Sequence, residues 1–167
     1  MIVFDASTLI LLAKSELLDP FLAGVKLEVA IPAEIEKECC GSKKTLDALI
    51  IQKALDETRI KVVAVKNRKV VAKLQADFGL GKGEAEAIAL ALNEKAQLLA
   101  IDDKNGINAC KLLGVAFATA VAILIQSRQK RLLGGPDALA KLGLLAKYGR
   151  YKDSIIEDAR RKLEAEP

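Results

Sequence analysis

The chain contains no histidine in its 167 residues. That absence removes Ser-His-Asp and Cys-His nucleophilic catalysis, imidazole acid–base chemistry and every histidine-ligated metal site. Cysteine is scarce as well. Three residues, two of them adjacent at Cys39 and Cys40, make neither a disulfide framework nor a zinc spacing, and they point to a reducing, cytoplasmic setting. The most apolar stretch, Leu112 to Ile125, is broken by Gly114 and Thr119 and is too short to cross a bilayer, so no membrane association is expected. Met1 leads directly into an apolar segment with no basic leader, and no signal peptide is expected either. Internal repeats and low-complexity linkers are also missing. Any enzymatic chemistry falls to carboxylates, hydroxyls, lysines or a metal.

A hydrophobic share of 51% and a charged share of 29% are ordinary for one globular domain of this length. Residues 1–125 hold sixteen basic and sixteen acidic side chains, while 126–167 hold ten and six, so the whole net charge of +4 lies in the last quarter. The expected organisation is a single domain, with a core over 1–125 and a helical extension over 126–167.

Short apolar runs alternate with segments of helical spacing, the pattern of an α/β protein with a mostly parallel sheet between layers of helix. Strands are expected at Met1–Phe4, Leu27–Ile31, Ile60–Val65, Ala96–Ile101 and Val115–Ala118. Helices are expected over Ala6–Lys14, Glu16–Ala23, from Ala33 to a break at Gly41–Lys44, and over Leu46–Glu57, Asn67–Phe78, Glu84–Glu94, Asn105–Leu113, Thr119–Leu133, Asp137–Lys147 and Tyr151–Glu164. Two strands run straight into acid: Phe4 into Asp5, and Ile101 into Asp102 and Asp103. Glu84 opens an Ala-rich helix. In the helix after Pro32, an angle count at about 100° per residue turns Glu38 toward the apolar side, and Glu34 and Glu36 away. Ligands of open α/β sheets sit outside the carboxyl ends of the strands, where these acids converge on one crevice. Converging carboxylates need a cation to stay ionised together, and Mg²⁺ or Mn²⁺ accepts an all-oxygen ligand set. Such a site could activate water for in-line attack on a phosphodiester without histidine.

Each acid also has a plainer reading. Asp5 and one of the Asp102–Asp103 pair suit helix N-caps, Glu84 suits a helix dipole, and Glu38 suits a solvated face. Capping, however, needs one acid after Ile101 rather than two, and Glu84 shares a face with Ile88 and Ala91. The glycines at 79, 81 and 83 match neither a dinucleotide fingerprint nor a phosphate loop. Lys82 among them is placed to touch a phosphate or simply to sit in solvent. The basic runs Arg128–Arg131 and Lys147–Lys152 carry two tyrosines suited to stacking on bases.

These residues resemble the PIN domain, the metal-dependent ribonuclease fold of VapBC-type toxins and related archaeal and bacterial proteins. The nearest branch carries its third acid as Gly-x-Gly-Glu-Ala-Glu-Ala-Ile-Ala-Leu-Ala and its fourth in a strand ending Ile-Asp-Asp-Lys, as in residues 81–91 and 101–104 here. The resemblance implies a three-layer α/β/α sandwich with extra C-terminal helices. It implies Asp5 as the first acid with Ser7 beside it, Glu38 as the second, Glu84 as the third with Glu86 as a substitute, and Asp103 as the fourth with Asp102 next to it. Mg²⁺ or Mn²⁺ on Asp5, Glu84 and Asp103, cleavage of RNA and a protein antitoxin are its further implications. Many toxins have Thr or Ser where Ile101 stands.

Two other readings compete. Phe4-Asp5-Ala6 also begins the nucleophile motif of haloacid-dehalogenase-type phosphatases, although Ser7 stands where that motif has a second Asp. A module that binds RNA or protein without cleaving is the other. The apolar residues Leu132, Leu133, Leu139, Leu142, Leu144, Leu145, Ile155 and Ile156 lead to the expectation of a homodimer. In it, Arg128, Arg131 and Arg150 would hold RNA phosphates.

Overall fold

The structure is a computed structural model that describes residues 1–41 and 44–165; Ser42 and Lys43, within the expected break at 41–44, lie outside the described residues. Its first half runs β1 (Ile2–Phe4), α1 (Ala6–Lys14), α2 (Leu18–Gly24), β2 (Val29–Pro32), α3 (Ala33–Cys39), α4 (Leu46–Asp56) and β3 (Lys61–Val63). The second half runs α5 (Arg68–Phe78), α6 (Lys82–Asn93), β4 (Leu98–Ala100), α7 (Lys104–Leu113), β5 (Phe117–Ala118), α8 (Ala120–Gln129), α9 (Gly135–Tyr148) and α10 (Asp153–Glu164).

All pairings in the sheet are parallel, and the strand order is β3-β2-β1-β4-β5. Helices cover both faces, which gives the three-layer α/β/α sandwich. The covering explains why β1 is buried at every position and reads as a continuous apolar run. Chain order reverses at β1, whose neighbours β2 and β4 lead to opposite edges, so the crevice beyond β1 and β4 is the topological switch point. Pairing continues one residue past β1: the Asp5 N–H donates to the Ala100 carbonyl at 2.9 Å, which fixes Asp5 against the end of β4.

The core is built on Val3, Phe4, Leu9, Leu12, Ile31, Ile35, Ile88 and Leu99, all essentially inaccessible. Phe4 meets Phe21 edge to face at 5.6 Å. The β-strands are shorter than the apolar runs suggested, and α8 stops at Gln129 rather than Leu133. Its end is set by Arg131, whose φ of 59° leaves the helical region. Among the described residues no helix is long and apolar enough to cross a membrane.

The last three helices are not a loose arm. Helix α9 packs against α1 and α8, and Leu133, Leu142 and Leu145 are buried in the chain's own core. Leu132 lies over Gly24, where a Cβ would collide with it. Much of the apolar surface that suggested a homodimer is thus covered from within, and light scattering decides the oligomeric state.

Candidate functional site

Asp5 caps α1. Its carboxylate accepts from the Ser7 N–H at 3.1 Å and from the Ser7 hydroxyl through a short hydrogen bond, and the residue is only 2% exposed. Burial pushes this carboxyl above the usual carboxylate range, the Ser7 bonds pull it partly back, and the neighbouring Glu38 charge pushes it up again. Glu84 stands in the first turn of α6, where it accepts from the Gly81 N–H at 2.8 Å. Burial raises its carboxyl as well, and the nearby charges of Asp103 and Asp5 add to the rise. Glu38 reaches this group from α3. Its carboxylate lies against Gly83, at a spot that a side chain at 83 would fill, so glycine there lets the second acid approach the start of α6.

Asp103 caps α7 by accepting the N–H groups of Asn105 and Gly106 at 2.7 and 3.0 Å, both on Oδ1, which leaves its other oxygen outside the cap. The structure therefore gives Asp5 and Asp103 their capping duty and still links the acids by charge, Glu38 to Asp5, Asp5 to Glu84, and Glu84 to Asp103. Among the described residues no group of three or more Asp, Glu or Cys side chains stands ready to hold a metal ion. The acids are electrostatic neighbours rather than a closed cage.

Asp102 is occupied differently. Its Oδ2 accepts from the Thr8 hydroxyl at 2.8 Å and the Ala120 N–H at 2.9 Å, and its Oδ1 accepts from the Tyr151 hydroxyl. The second acid after Ile101 thus ties together α1, the start of α8 and the α9–α10 linker. Burial and the Asp102 carboxylate hold the Tyr151 hydroxyl firmly protonated. Glu86 is buried on another face of α6 and pairs with Arg68 of α5, away from the other acids.

Glu84 and Asp103 open onto a cleft of ≈ 590 Å³ that also has Ser7, Lys14, Lys104, Tyr148, Arg150 and Tyr151 in its walls. Arg150 is the one predicted arginine found there. Arg128 lies in the last turn of α8, about 12 Å from its start by the helical rise, and Arg131 follows just beyond the helix. Their chain neighbours Gln126, Ser127, Lys130 and Leu132 line a separate hollow with Ile2 and Leu98, where the strands begin. Lys82 is paired with Glu34 at 2.6 Å across α3 and α6. The sequence places Ser7 or Thr8 to cap α1 or to reach back toward the crevice, and Thr8 reaches Asp102, but it gives no role to Lys14 or Lys104. Lys14 had a signal, since it follows Ser7 by seven residues and so shares its face of α1. Cys110, buried in α7, has its thiol pushed up to about 11 by burial first, which leaves it unreactive as a nucleophile.

These carboxyls make stability depend on pH with a definite sign. Asp5 and Glu84 hold protons more tightly folded than unfolded, so their contribution is full below the unfolded value near pH 4 and is lost as pH rises through the raised folded values. In chelator, the stability of wild type relative to Asp5→Asn should therefore fall as pH rises from about 4 toward 7, and Mn²⁺ should reverse the fall. Urea denaturation at a series of pH values measures this; a difference that stays flat would refute the buried charge at Asp5.

Together these features define an α/β/α protein with a carboxylate-walled cleft at the switch point of a parallel sheet. The chain belongs to the PIN-domain family, whose model matches residues 1–165. PIN domains are a nuclease-type fold, generally nucleases and usually users of divalent metals. No curated protein matches the chain.

Proposed function

We propose that the protein is a ribonuclease dependent on Mg²⁺ or Mn²⁺, with Asp5, Glu84 and Asp103 as metal ligands and Glu38 completing the acidic set. The observation that carries this reading is the linkage of these four carboxylates, with the Asp5 carboxyl raised by burial and Glu38, and the Glu84 carboxyl raised by burial, Asp103 and Asp5. An all-oxygen donor set under that strain suits a hard divalent cation. Such a cation supplies Lewis-acid polarisation of the phosphodiester and a nucleophilic water at neutral pH.

The chain's own residues do the rest. Ser7 orients Asp5, and the α7 cap engages only one of the two Asp103 oxygens. Glu38 is exposed and Glu84 half-buried, so both long side chains are able to turn toward a cation. Lys104 and Arg150 in the cleft wall attract the substrate's phosphates and offset the acids' field. Asp102, with both oxygens engaged, is a positioning residue that fixes the walls around the site.

Purified protein should cleave labelled RNA in Mn²⁺ or Mg²⁺, stop in EDTA and resume when metal is restored. Cleavage that continues undiminished in EDTA would overturn the metal-dependent reading. A toxin role, with an antitoxin as protein partner, follows from the resemblance of the Gly81–Ala91 and Ile101–Lys104 motifs. It is tested by an adjoining open reading frame whose product co-purifies with this chain and blocks the cleavage.

A further inference from the structure

We infer that the cleft carries a nucleobase subsite beside the acids, with Tyr148 as the stacking platform and Lys14, Lys147 and Arg150 as the phosphate contacts of that nucleotide. The inference rests on the reading of RNA as substrate and adds what the site selects: an unpaired nucleotide next to the bond that is cut.

The floor of the cleft is the outer face of α1, where Ser7, Ile10, Leu11 and Lys14 recur at helical spacing and none is fully buried. It begins at Ser7, which is hydrogen-bonded to Asp5, and runs about 10 Å by the helical rise to Lys14. Above Lys14 stands Tyr148. The residue is 44% exposed, and the Lys14 and Lys147 ammonium groups lie over its ring, 5.6 Å and 5.3 Å from the centre. An exposed aromatic ring with two flexible lysines over it offers a base its π surface once an ammonium swings from the ring to the phosphate attached to that base.

The chain has two tyrosines and no tryptophan, and both tyrosines line this cleft. They have separate tasks. Tyr151 is half-buried, with its hydroxyl on Asp102 and its ring against Gly149, where a Cβ would strike that ring and come within 2.8 Å of the Leu145 carbonyl oxygen. That close packing fastens the 148–151 wall to the end of β4, and Tyr148 keeps its ring in the cleft mouth. A wall anchored at Asp102 holds the platform at a fixed distance from Asp103. Bases within a duplex are stacked on both faces, so a platform of this kind distinguishes unpaired from paired RNA.

The test is binding of a single-stranded oligouridylate with one 2-aminopurine to the whole protein in EDTA, followed by 2-aminopurine emission and by anisotropy. Wild type should quench the emission; Tyr148→Ala should abolish the quench and weaken binding about tenfold or more, while Tyr148→Phe stays within about twofold of wild type. With an abasic site in place of the 2-aminopurine, wild type and Tyr148→Ala should bind alike. Equal binding of the 2-aminopurine strand by wild type and Tyr148→Ala, or a Phe variant as weak as the Ala variant, would overturn the subsite. Because no cleavage is read, a protein that binds in this way yet never cuts RNA would refute the nuclease reading alone. One that cuts RNA with binding indifferent to Tyr148 would refute the subsite alone.

Discussion

Asp5→Asn should abolish metal-dependent RNA cleavage, with a loss of roughly a hundredfold or more, and yet melt at or above the wild-type temperature in chelator. The two halves of this result have one cause. Asp5 is 2% exposed and its ionised form is disfavoured by burial and by Glu38, so the wild-type charge strains the fold when nothing balances it. An asparagine keeps an oxygen to accept the Ser7 N–H, so the α1 cap survives the substitution. It also removes a negative ligand from the acidic set. Initial cleavage rates in Mn²⁺ and thermal melts in EDTA measure both halves. A variant that still cuts at the wild-type rate would show that the scissile chemistry lies elsewhere, and one that unfolds in EDTA would show that Asp5 serves the fold.

Asp102→Ala should do the reverse and damage the fold. It leaves the Thr8 hydroxyl, the Ala120 N–H and the Tyr151 hydroxyl without their shared acceptor, and Thr8 and Ala120 have no exposed surface through which water could replace it. Stranding such donors costs about 1–3 kcal/mol each; with coupling among them, a loss of roughly 3–5 kcal/mol is expected. For a chain of this size that lowers the melting temperature by about 10 °C or more. Tyr151→Phe, which removes one of the three bonds and keeps the ring, should lose only a fraction of that. Urea denaturation checks the order. Asp102→Ala with wild-type stability but no activity would return Asp102 to the catalytic acids.

The contrast between adjacent aspartates shows where sequence reading reaches its limit. The sheet and its strand-end acids were legible because parallel strands covered on both faces must be continuous apolar runs, and because a helix following a strand advertises its cap. The angle count turned Glu38 inward and Glu34 and Glu36 away, yet Glu38 is exposed and the other two half-buried; Glu38 meets Gly83 because α6 starts beside the end of α3, while Glu34 takes Lys82. The partners of Asp102 lie 94, 18 and 49 residues away, distances over which no local pattern operates. Counting two acids where a cap needs one suggested a second ligand, when the surplus acid was holding three elements together. The arginines failed for a different reason. Basic composition marks a segment, but α8 carries its last residues away from the cleft, and the chain neighbours of Arg128 and Arg131 line a hollow where the strands begin. Arg150 reaches the cleft because α9 returns the chain to the opposite end.

Crystals grown with Mn²⁺ and measured at its absorption edge test the central claim most directly, since the anomalous signal locates the ion without reference to activity. A peak is expected in the cleft, bonded to carboxylate oxygens of Asp5 and Asp103, with Glu84 turned toward it and Asp102 still bonded to Thr8 and Tyr151. A peak at Glu86 or Asp102, or Mn²⁺ bound only outside the cleft, would contradict that claim.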